Sequence, residues 1–147
     1  MAVAQLQNAP YSIMTMGKTD DTPESRSVRT IVVDDFASMQ QALTACLEAL
    51  PNVEVVGTAL NGQEALDLIP QLSPDLAIVD LQMPVMDGFQ LMRHVRRDYP
   101  NIRLVAVCGH ASSAIEQEAL AAGAHAFVAK GTLPQGLLTK VQGVMGK

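Results

Sequence analysis

The chain has 147 residues, of which 48% are hydrophobic and 17% charged, and its formal net charge at pH 7 is -5. This length and apolar content suit one globular domain with its own core and leave no room for a second folded domain. The negative balance argues against nucleic acid or an anionic membrane as the main partner.

Cysteine content and hydropathy indicate the cellular compartment in which the protein folds. The two cysteines, Cys46 and Cys108, cannot form a disulfide framework and lack the spacing of a zinc site. The first residues lack the positive region of an export signal, and no apolar run approaches the roughly 20 residues that span a bilayer. We therefore expect a reduced, cytoplasmic protein that has no membrane anchor.

The amino-terminal segment differs in composition from the rest. Residues 1–28 are irregular and include the polar stretch GKTDDTPESRS. A stretch of this kind cannot bury enough apolar surface to offset the entropy of ordering it. We predict a disordered tail over residues 1–28 and a folded domain over residues 29–147.

Five short apolar runs follow at intervals of roughly twenty to twenty-five residues, a spacing typical of strands that alternate with helices. They are continuous rather than alternating and rich in Val, Ile and Ala, which is the pattern of strands buried on both faces of a parallel sheet. In chain order they are TIVVDD, VEVVGTA, LAIVD, LVAVCG and AFVAK.

Segments of helical period separate and follow these runs. The first apolar stripe extends from Phe36 to Leu50, and four more follow. Three segments have the sequence of a capping box, NGQE from Asn61, SAIE from Ser113 and TLPQ from Thr132. Strand and helix alternate five times, which predicts an α/β fold with a doubly wound five-stranded parallel sheet and five helices.

In an open α/β sheet, the site lies at the carboxyl ends of the strands. The predicted strand ends carry Asp34 and Asp35, Asp80, Cys108 with Gly109, and Lys130. Three ionised carboxylates exceed the single positive charge of the lysine, and a divalent cation balances the remainder. Carboxylate oxygens, a loop carbonyl and water suit Mg²⁺, so the sequence predicts a magnesium site at this edge.

Four motifs stand in order along the chain: DD, DLQMPVMDG, VCGH and FVAK. Together they resemble bacterial two-component response-regulator receiver domains, from about Arg29 to Met145. The chain is somewhat similar to receivers of regulators that carry a helix-turn-helix domain, and it resembles a single-domain or truncated receiver. The resemblance implies a flavodoxin-like sheet with strand order 2-1-3-4-5 and a receiver domain over residues 29–147.

The resemblance also implies roles for the acidic residues. Asp80 is expected to accept a phosphoryl group from a histidine kinase or a phosphotransfer protein. Asp35, Asp80 and the backbone carbonyl of Gln82 are expected to hold Mg²⁺, with Asp34 acting through water. Lys130 is expected to pair with Asp80 and then with the phosphoryl oxygens. Such a chain is a phosphorylation-controlled signalling switch rather than a turnover enzyme.

Further positions are assigned by the same resemblance. Cys108 stands where the family usually has Thr or Ser, and together with Gly109 it adjoins the expected phosphoryl site. Phe127 occupies the aromatic switch position, three residues before the lysine. Gln82 and His110 occupy positions that tune dephosphorylation. A downstream protein target is expected to bind the face formed by helix 4, strand 5 and helix 5.

Other functions are open on the residues alone. Because a thiol is a weak hydrogen-bond donor, Cys108 leaves the alternative of a non-switching protein-binding scaffold. A phosphatase with an aspartyl nucleophile is disfavoured because Gln82 stands where such enzymes place a second acid. Flavin binding is disfavoured because DDFAS follows the first strand in place of a phosphate-binding loop.

Each residue also has a plain structural interpretation. Asp35 is able to cap the first helix, Asp80 and Lys130 to be solvated, and Cys108 to be a small buried hydrophobe. His125 has no evident partner.

Overall fold

The computed structural model describes residues 27–145, so the predicted tail over residues 1–28 lies outside the described residues except for its last two positions. Val28 is already the first residue of a strand. The strand therefore begins one residue before the predicted start of the domain.

Five parallel strands form one sheet in the order β2-β1-β3-β4-β5, which confirms the predicted flavodoxin-like topology. Every apolar run named above overlaps one of these strands, since a run that is buried on both faces must lie between two layers of helices. Their bounds are β1 (Val28–Val33), β2 (Val53–Ala59), β3 (Leu76–Asp80), β4 (Arg103–Cys108) and β5 (Ala126–Ala129).

Five helices cover the two faces of the sheet and are α1 (Ala37–Glu48), α2 (Gly62–Leu72), α3 (Gly88–Asp98), α4 (Ser113–Ala121) and α5 (Gln135–Met145). Helices α2, α3 and α4 pack on one face, and α1 and α5 pack on the other. Fully buried leucines such as Leu43, Leu91 and Leu137 anchor them, each contributing roughly 1.5–3 kcal/mol of transfer free energy. No helix within residues 27–145 combines the length and apolar character needed to cross a membrane.

The start of α2 follows the sequence prediction. Asn61 is its N-cap, and the Asn61 side chain accepts a hydrogen bond from the backbone N–H of Glu64 at 2.9 Å. The Glu64 carboxylate in turn accepts from the backbone N–H of Leu60 at 2.9 Å. The first contact satisfies one amide group that the start of the helix leaves unpaired, and the second holds the residue before the N-cap.

The two other predicted capping boxes are wrong. Helix α4 is capped by Ser112, one residue before the predicted Ser113, and the Ser112 hydroxyl accepts from the backbone N–H of Ile115. Thr132 lies in a 3₁₀ turn (Lys130–Thr132), where its hydroxyl donates to the carbonyl of Ala129 at 2.7 Å. The extra turn after β5 delays the start of α5 to Gln135.

Strand β2 contains an irregularity at the outer side of the sheet. Its pairing with β1 matches Thr30 with Val55 but Ile31 with Gly57, so Val56 is an additional residue in β2. Such a bulge bends its strand and increases the local twist.

Candidate functional site

Three carboxylates meet at the carboxyl edge of the sheet. Asp34 and Asp35 follow β1, and Asp80 is the last residue of β3. Strands β1 and β3 are direct neighbours, with Val33 opposite Val79, so their ends lie side by side. One carboxylate oxygen from each aspartate lies within 4.8 Å of the others, close enough to share a metal ion.

Asp34 is held by contacts to both of its carboxylate oxygens. The side chain is fully buried; its Oδ1 accepts from the backbone N–H of Phe36 at 2.9 Å, and its Oδ2 lies 3.1 Å from Lys130 Nζ. The Gln40 side chain also donates to the Asp34 carbonyl at 2.9 Å. The position of this carboxylate is therefore fixed before any ion binds.

Asp35 has a different environment, which excludes its interpretation as a helix cap. The N-cap of α1 is Phe36, and no side chain caps that helix end. Asp35 Oδ1 is buried and has no hydrogen-bond partner within residues 27–145. A buried, unpaired carboxylate oxygen destabilises a fold unless it has a partner, and a cation is the partner that this oxygen and its acidic neighbours fit.

Asp80 lies inside the fold at the centre of this cluster. Its side chain is 4% exposed, and its Oδ1 accepts from the backbone N–H of Gln82 at 3.2 Å. Burial, together with the charges of Asp34 and Asp35, raises the pKa of Asp80 to about 6. The Gln82 hydrogen bond and Lys130 act in the opposite direction but do not offset the loss of hydration.

Lys130 reaches the cluster from the end of β5. Its ammonium lies 3.1 Å from Asp34 Oδ2 and 3.6 Å from Asp80 Oδ1. The sequence interpretation paired this lysine with Asp80, whereas the structure places it between two carboxylates and nearer to Asp34. Asp34 thus binds the lysine ammonium and keeps it beside the Asp80 oxygen.

The remaining residues singled out by sequence lie around this cluster. Cys108 is 1% exposed at the end of β4, in the same apolar cluster as Phe127, whose side chain is also buried. Gly109 faces the Lys130 stem, where a β-carbon would lie 3.9 Å from Lys130 Cδ. His110 and the Gln82 side chain are exposed on the loops beside the site.

Gly88 is a structural determinant of the site that the sequence interpretation missed. It opens α3, and its backbone N–H donates to the carbonyl of Leu81 at 3.2 Å. A β-carbon on Gly88 would overlap the Asp80 carbonyl oxygen and would lie 2.7 Å from Leu81 Cα. Asp87 caps the helix in a complete capping box with Gln90. The available signal was the MDGFQ stretch, in which Asp, Gly and Gln have the spacing of a helix start.

His125 has a partner, contrary to the sequence interpretation. Its Nδ1 accepts a hydrogen bond from the backbone N–H of Leu104 at 3.0 Å. Partial burial, followed by the positive charges of Arg96 and Arg103, lowers the pKa of His125 below its usual value. No local sequence signal reveals this contact, because 21 residues separate the two groups.

The sheet order defines a flavodoxin-like α/β domain, and its carboxyl edge carries an acidic cluster that could hold a cation. A family profile described as the response regulator receiver domain matches residues 30–142. The chain therefore belongs to the response regulator receiver domain family.

Individual relatives agree with this assignment. The chain is 41% identical over 107 residues to protein-glutamate methylesterase/protein-glutamine glutaminase 3 of Geobacter sulfurreducens, a match that covers 73% of this chain and 29% of that protein. The response regulator domain of Thermotoga maritima CheB is similar in structure, with a TM-score of 0.76, 30% identity, and coverage of 83% of this chain and 98% of that one.

A two-component response regulator of the LuxR family from Aurantimonas sp. SI85-9A1 is also similar, with a TM-score of 0.77, 28% identity, and coverage of 82% and 86% of the two chains. The chain spans about 29% of the length of the Geobacter relative, so the activity in that name belongs to the relative.

Proposed function

We propose that the chain is a phosphorylation-controlled switch that accepts a phosphoryl group on Asp80 from a histidine kinase or a phosphotransfer protein, with Mg²⁺ as cofactor. The observation that carries the proposal is the convergence of Asp34, Asp35 and Asp80, with one buried Asp35 oxygen left without a partner. We also propose that the chain acts in the cytoplasm, without binding nucleic acid or a membrane directly.

Each residue at the site would have a different role in phosphoryl transfer. A carboxylate oxygen of Asp80 attacks the phosphorus, a P–O bond forms, and the P–N bond to the donor imidazole breaks with its electron pair returning to nitrogen. Mg²⁺ held by Asp35, Asp80 and the Gln82 carbonyl, with Asp34 acting through water, would supply positive charge to the phosphoryl oxygens. Lys130 lies within 3.6 Å of Asp80 and needs only a small movement from Asp34 to contact the same oxygens.

Treatment with a small phosphodonor tests this proposal. Incubation of the full chain with phosphoramidate or acetyl phosphate and Mg²⁺ should add the mass of one phosphoryl group. The adduct should be absent in Asp80→Ala and in the presence of a chelator, while Asp67→Ala, which removes an exposed carboxylate on α2, should retain it. An adduct that persists in Asp80→Ala would refute the assignment of the acceptor.

The output surface proposed for the switch is the face formed by α4, β5 and α5. A surface cavity of about 380 Å³ lies on this face and is lined by residues that include Ser112, Glu116, Phe127, Thr132 and Lys140. Phosphorylation would shift the equilibrium between two arrangements of this face, and a downstream protein would bind one of them better. Phe127 connects the face to the site because it packs in the same cluster as Cys108.

A specific observation favours a second candidate, a receiver that binds partners without switching. Cys108 is buried beside the site, and its thiol is a weaker hydrogen-bond donor than the usual hydroxyl. Weak donation would reduce the force that draws the following loop, with its exposed Gly109 and His110, toward a phosphoryl oxygen.

The variant Cys108→Ser separates these two candidates. We expect a larger shift of α4, β5 and α5 amide resonances on adding beryllofluoride and Mg²⁺ than in the unmodified chain, because serine restores a strong donor. Cys46→Ser, a change at a partly buried position on α1, is the matched control. Equal shifts in all three proteins would show that residue 108 does not limit the coupling.

We further propose that this chain accepts one phosphoryl group and loses it slowly, without enzymatic turnover. Gln82 and His110 are exposed at the rim of the site, where they would tune the rate of hydrolysis of the aspartyl phosphate. Release of phosphate from a phosphomonoester well beyond one equivalent per chain would contradict this proposal.

A further inference from the structure

A groove on the outer side of α3 has no role in the proposed function. It has a volume of about 330 Å³ and is lined by Val85, Met86, Gln90, Arg93, His94 and Arg97. Gln90, Arg93 and Arg97 follow one another at intervals of three and four residues, so they form one stripe along α3, and Val85 and Met86 precede it in the β3–α3 loop. We call this feature the α3 groove.

One end of the α3 groove is positively charged, although the chain as a whole is negative. Arg93 is exposed and has no ion-pair partner in the part of the chain that the structure describes. Arg97 pairs with its neighbour Asp98 at 3.0 Å on an open surface, where such a pair is weak and readily exchanged. These arginines lie toward the carboxyl end of α3 and are available to acidic groups.

The other end of the α3 groove is apolar and solvent-exposed. Val85 is 84% exposed and has a φ of 70°, a left-handed backbone conformation that is rare for a β-branched residue. The backbone N–H of Met86 donates to the Pro84 carbonyl at 2.9 Å, which closes a tight turn around Val85. An apolar side chain held outward in this way is suited to contact with another apolar group.

From these features we infer that residues 11–24 of the same chain, YSIMTMGKTDDTPE, dock in the α3 groove. Going backward from β1, this segment presents acidic residues first, Asp20, Asp21 and Glu24, and then the apolar residues Ile13, Met14 and Met16. The α3 groove presents its partners in the same order, the arginines near the carboxyl end of α3 and Val85 with Met86 at the β3–α3 loop.

The length of the chain allows this docking. Helix α3 connects the carboxyl end of β3 to the amino end of β4, so its last turn and the start of β1 lie at the same edge of the sheet. The eight residues from Asp21 to Val28 are joined by seven peptide bonds and span up to about 24 Å when extended. Neighbouring strands are about 5 Å apart and a packed layer lies about 10 Å from the sheet, so Arg97 is within reach.

The proposed docking would cover the exposed side chains of Val85 and Arg93. It is independent of phosphoryl transfer to Asp80, since it rests on the charge and exposure of the α3 groove. Failure of the phosphorylation proposal would leave it standing, and the reverse is also true.

Cross-linking of the full chain tests the docking. Arg93→Lys keeps the positive charge and introduces an amine into the α3 groove, so that a zero-length carbodiimide reagent can join it to a nearby carboxylate. Lys140, an exposed lysine on α5 at the opposite face of the sheet, is the internal control. Peptide mass mapping of the monomer measures both yields, and a mixture of ¹⁴N- and ¹⁵N-labelled chains shows whether a link joins one chain or two.

We expect the introduced amine to link to Asp20, Asp21 or Glu24 within one chain, with a yield about five-fold or more above that at Lys140, because an undirected flexible segment would reach both lysines. The yield should fall several-fold at about 1 M salt, where charge attraction is screened. Val85→Thr, which keeps the branched shape and adds a hydroxyl, should lower the yield about two-fold by weakening the apolar contact.

Three outcomes would overturn the inference. Equal yields at Lys140 and at the introduced amine would mean that the segment is not directed to the α3 groove. Links only between two chains would assign the groove to a second copy. A yield that changes neither at about 1 M salt nor in Val85→Thr would show that neither charge nor the apolar contact directs the segment.

Discussion

Asp80 is buried beside two other carboxylates, and only Lys130 and the backbone N–H of Gln82 favour its charge. Its pKa of about 6 lies above the ordinary value of 3.8, so the folded protein holds the proton more tightly than the unfolded chain does. The stability that protonated Asp80 gives the folded state is fully present below pH 3.8 and is lost as the pH rises through about 6. Ionised Asp80 therefore destabilises the metal-free protein at neutral pH.

Neutralising this group should stabilise the metal-free protein. A pKa difference of about two units corresponds to at most about 3 kcal/mol, and solvent at the open rim reduces the effect. We expect Asp80→Asn to raise the free energy of unfolding by about 1–2 kcal/mol near pH 7.5 in a chelator, as measured by urea denaturation.

The same measurement has a simple control. Glu54→Gln removes a charge from an exposed position on β2 and should change the stability little. The difference between Asp80→Asn and the unmodified protein should also disappear near pH 4. Lower stability of Asp80→Asn near pH 7.5 would contradict the account of the buried charge.

At the scale of elements, the β3–α3 connection places a helix directly against the acceptor strand. Gly88 lies so close to the Asp80 carbonyl and to Leu81 that no side chain fits between them. The capping box of Asp87 and Gln90 then fixes where α3 begins. The backbone around Asp80 is therefore held by packing of α3 as well as by the sheet.

Gly88→Ala should consequently destabilise the folded protein. The added methyl group would meet backbone atoms that cannot move aside, and we expect a loss of about 2–3 kcal/mol in the free energy of unfolding. Gly143→Ala is the matched control, because Gly143 lies in α5 and a β-carbon there meets nothing within 4 Å.

The control should even gain stability, by about 0.5–1 kcal/mol, since alanine restricts the unfolded chain and favours a helix. Thermal or urea unfolding of both variants checks the pair. A Gly88→Ala protein as stable as the Gly143→Ala protein would show that the close approach of α3 is not required.

For the protein as a whole, Asp80 and His125 make the free energy of unfolding depend on pH in opposite directions. His125 in the folded state has a pKa below 6.5, so its contribution is complete above pH 6.5 and is lost as the pH falls toward the folded value. Asp80 contributes in the reverse direction, because its pKa is raised in the folded state. The two effects partly cancel in the unmodified protein.

We therefore expect the free energy of unfolding to depend more clearly on pH when either Asp80 or His125 is replaced. In a chelator, Asp80→Asn should lose stability as the pH falls below about 7, because the unfolded chain gains a proton at His125 more readily than the folded protein does. Adding His125→Asn should remove this slope while keeping an acceptor for the Leu104 N–H. Urea midpoints across the pH range measure it, and an unchanged slope in the double variant would assign the effect to another group.

The sequence alone predicted the features that depend on burial and chain order. Continuous apolar runs located all five strands, because strands buried on both faces of a sheet are excluded from water. The carboxyl ends of these runs located the carboxylates of Asp34, Asp35 and Asp80. The strand order came from the family resemblance and agrees with the structure.

Features that depend on contacts between distant residues could not be predicted. The partner of His125 and the preference of Lys130 for Asp34 arise only when separate strands come together. Phe36, placed by periodicity on the apolar stripe of α1, is 64% exposed because the helix begins after it. Local periodicity does not show where a helix starts when the cap is a backbone interaction.

The additional residue Val56 has a consequence for solubility. Strand β2 is an outer strand, and an outer strand offers unpaired amide and carbonyl groups to any extended polypeptide nearby. The break in register interrupts that row, and the exposed charge of Glu54 adds repulsion beside it. Fibril-like growth by strand addition is thereby opposed on the β2 side of the sheet.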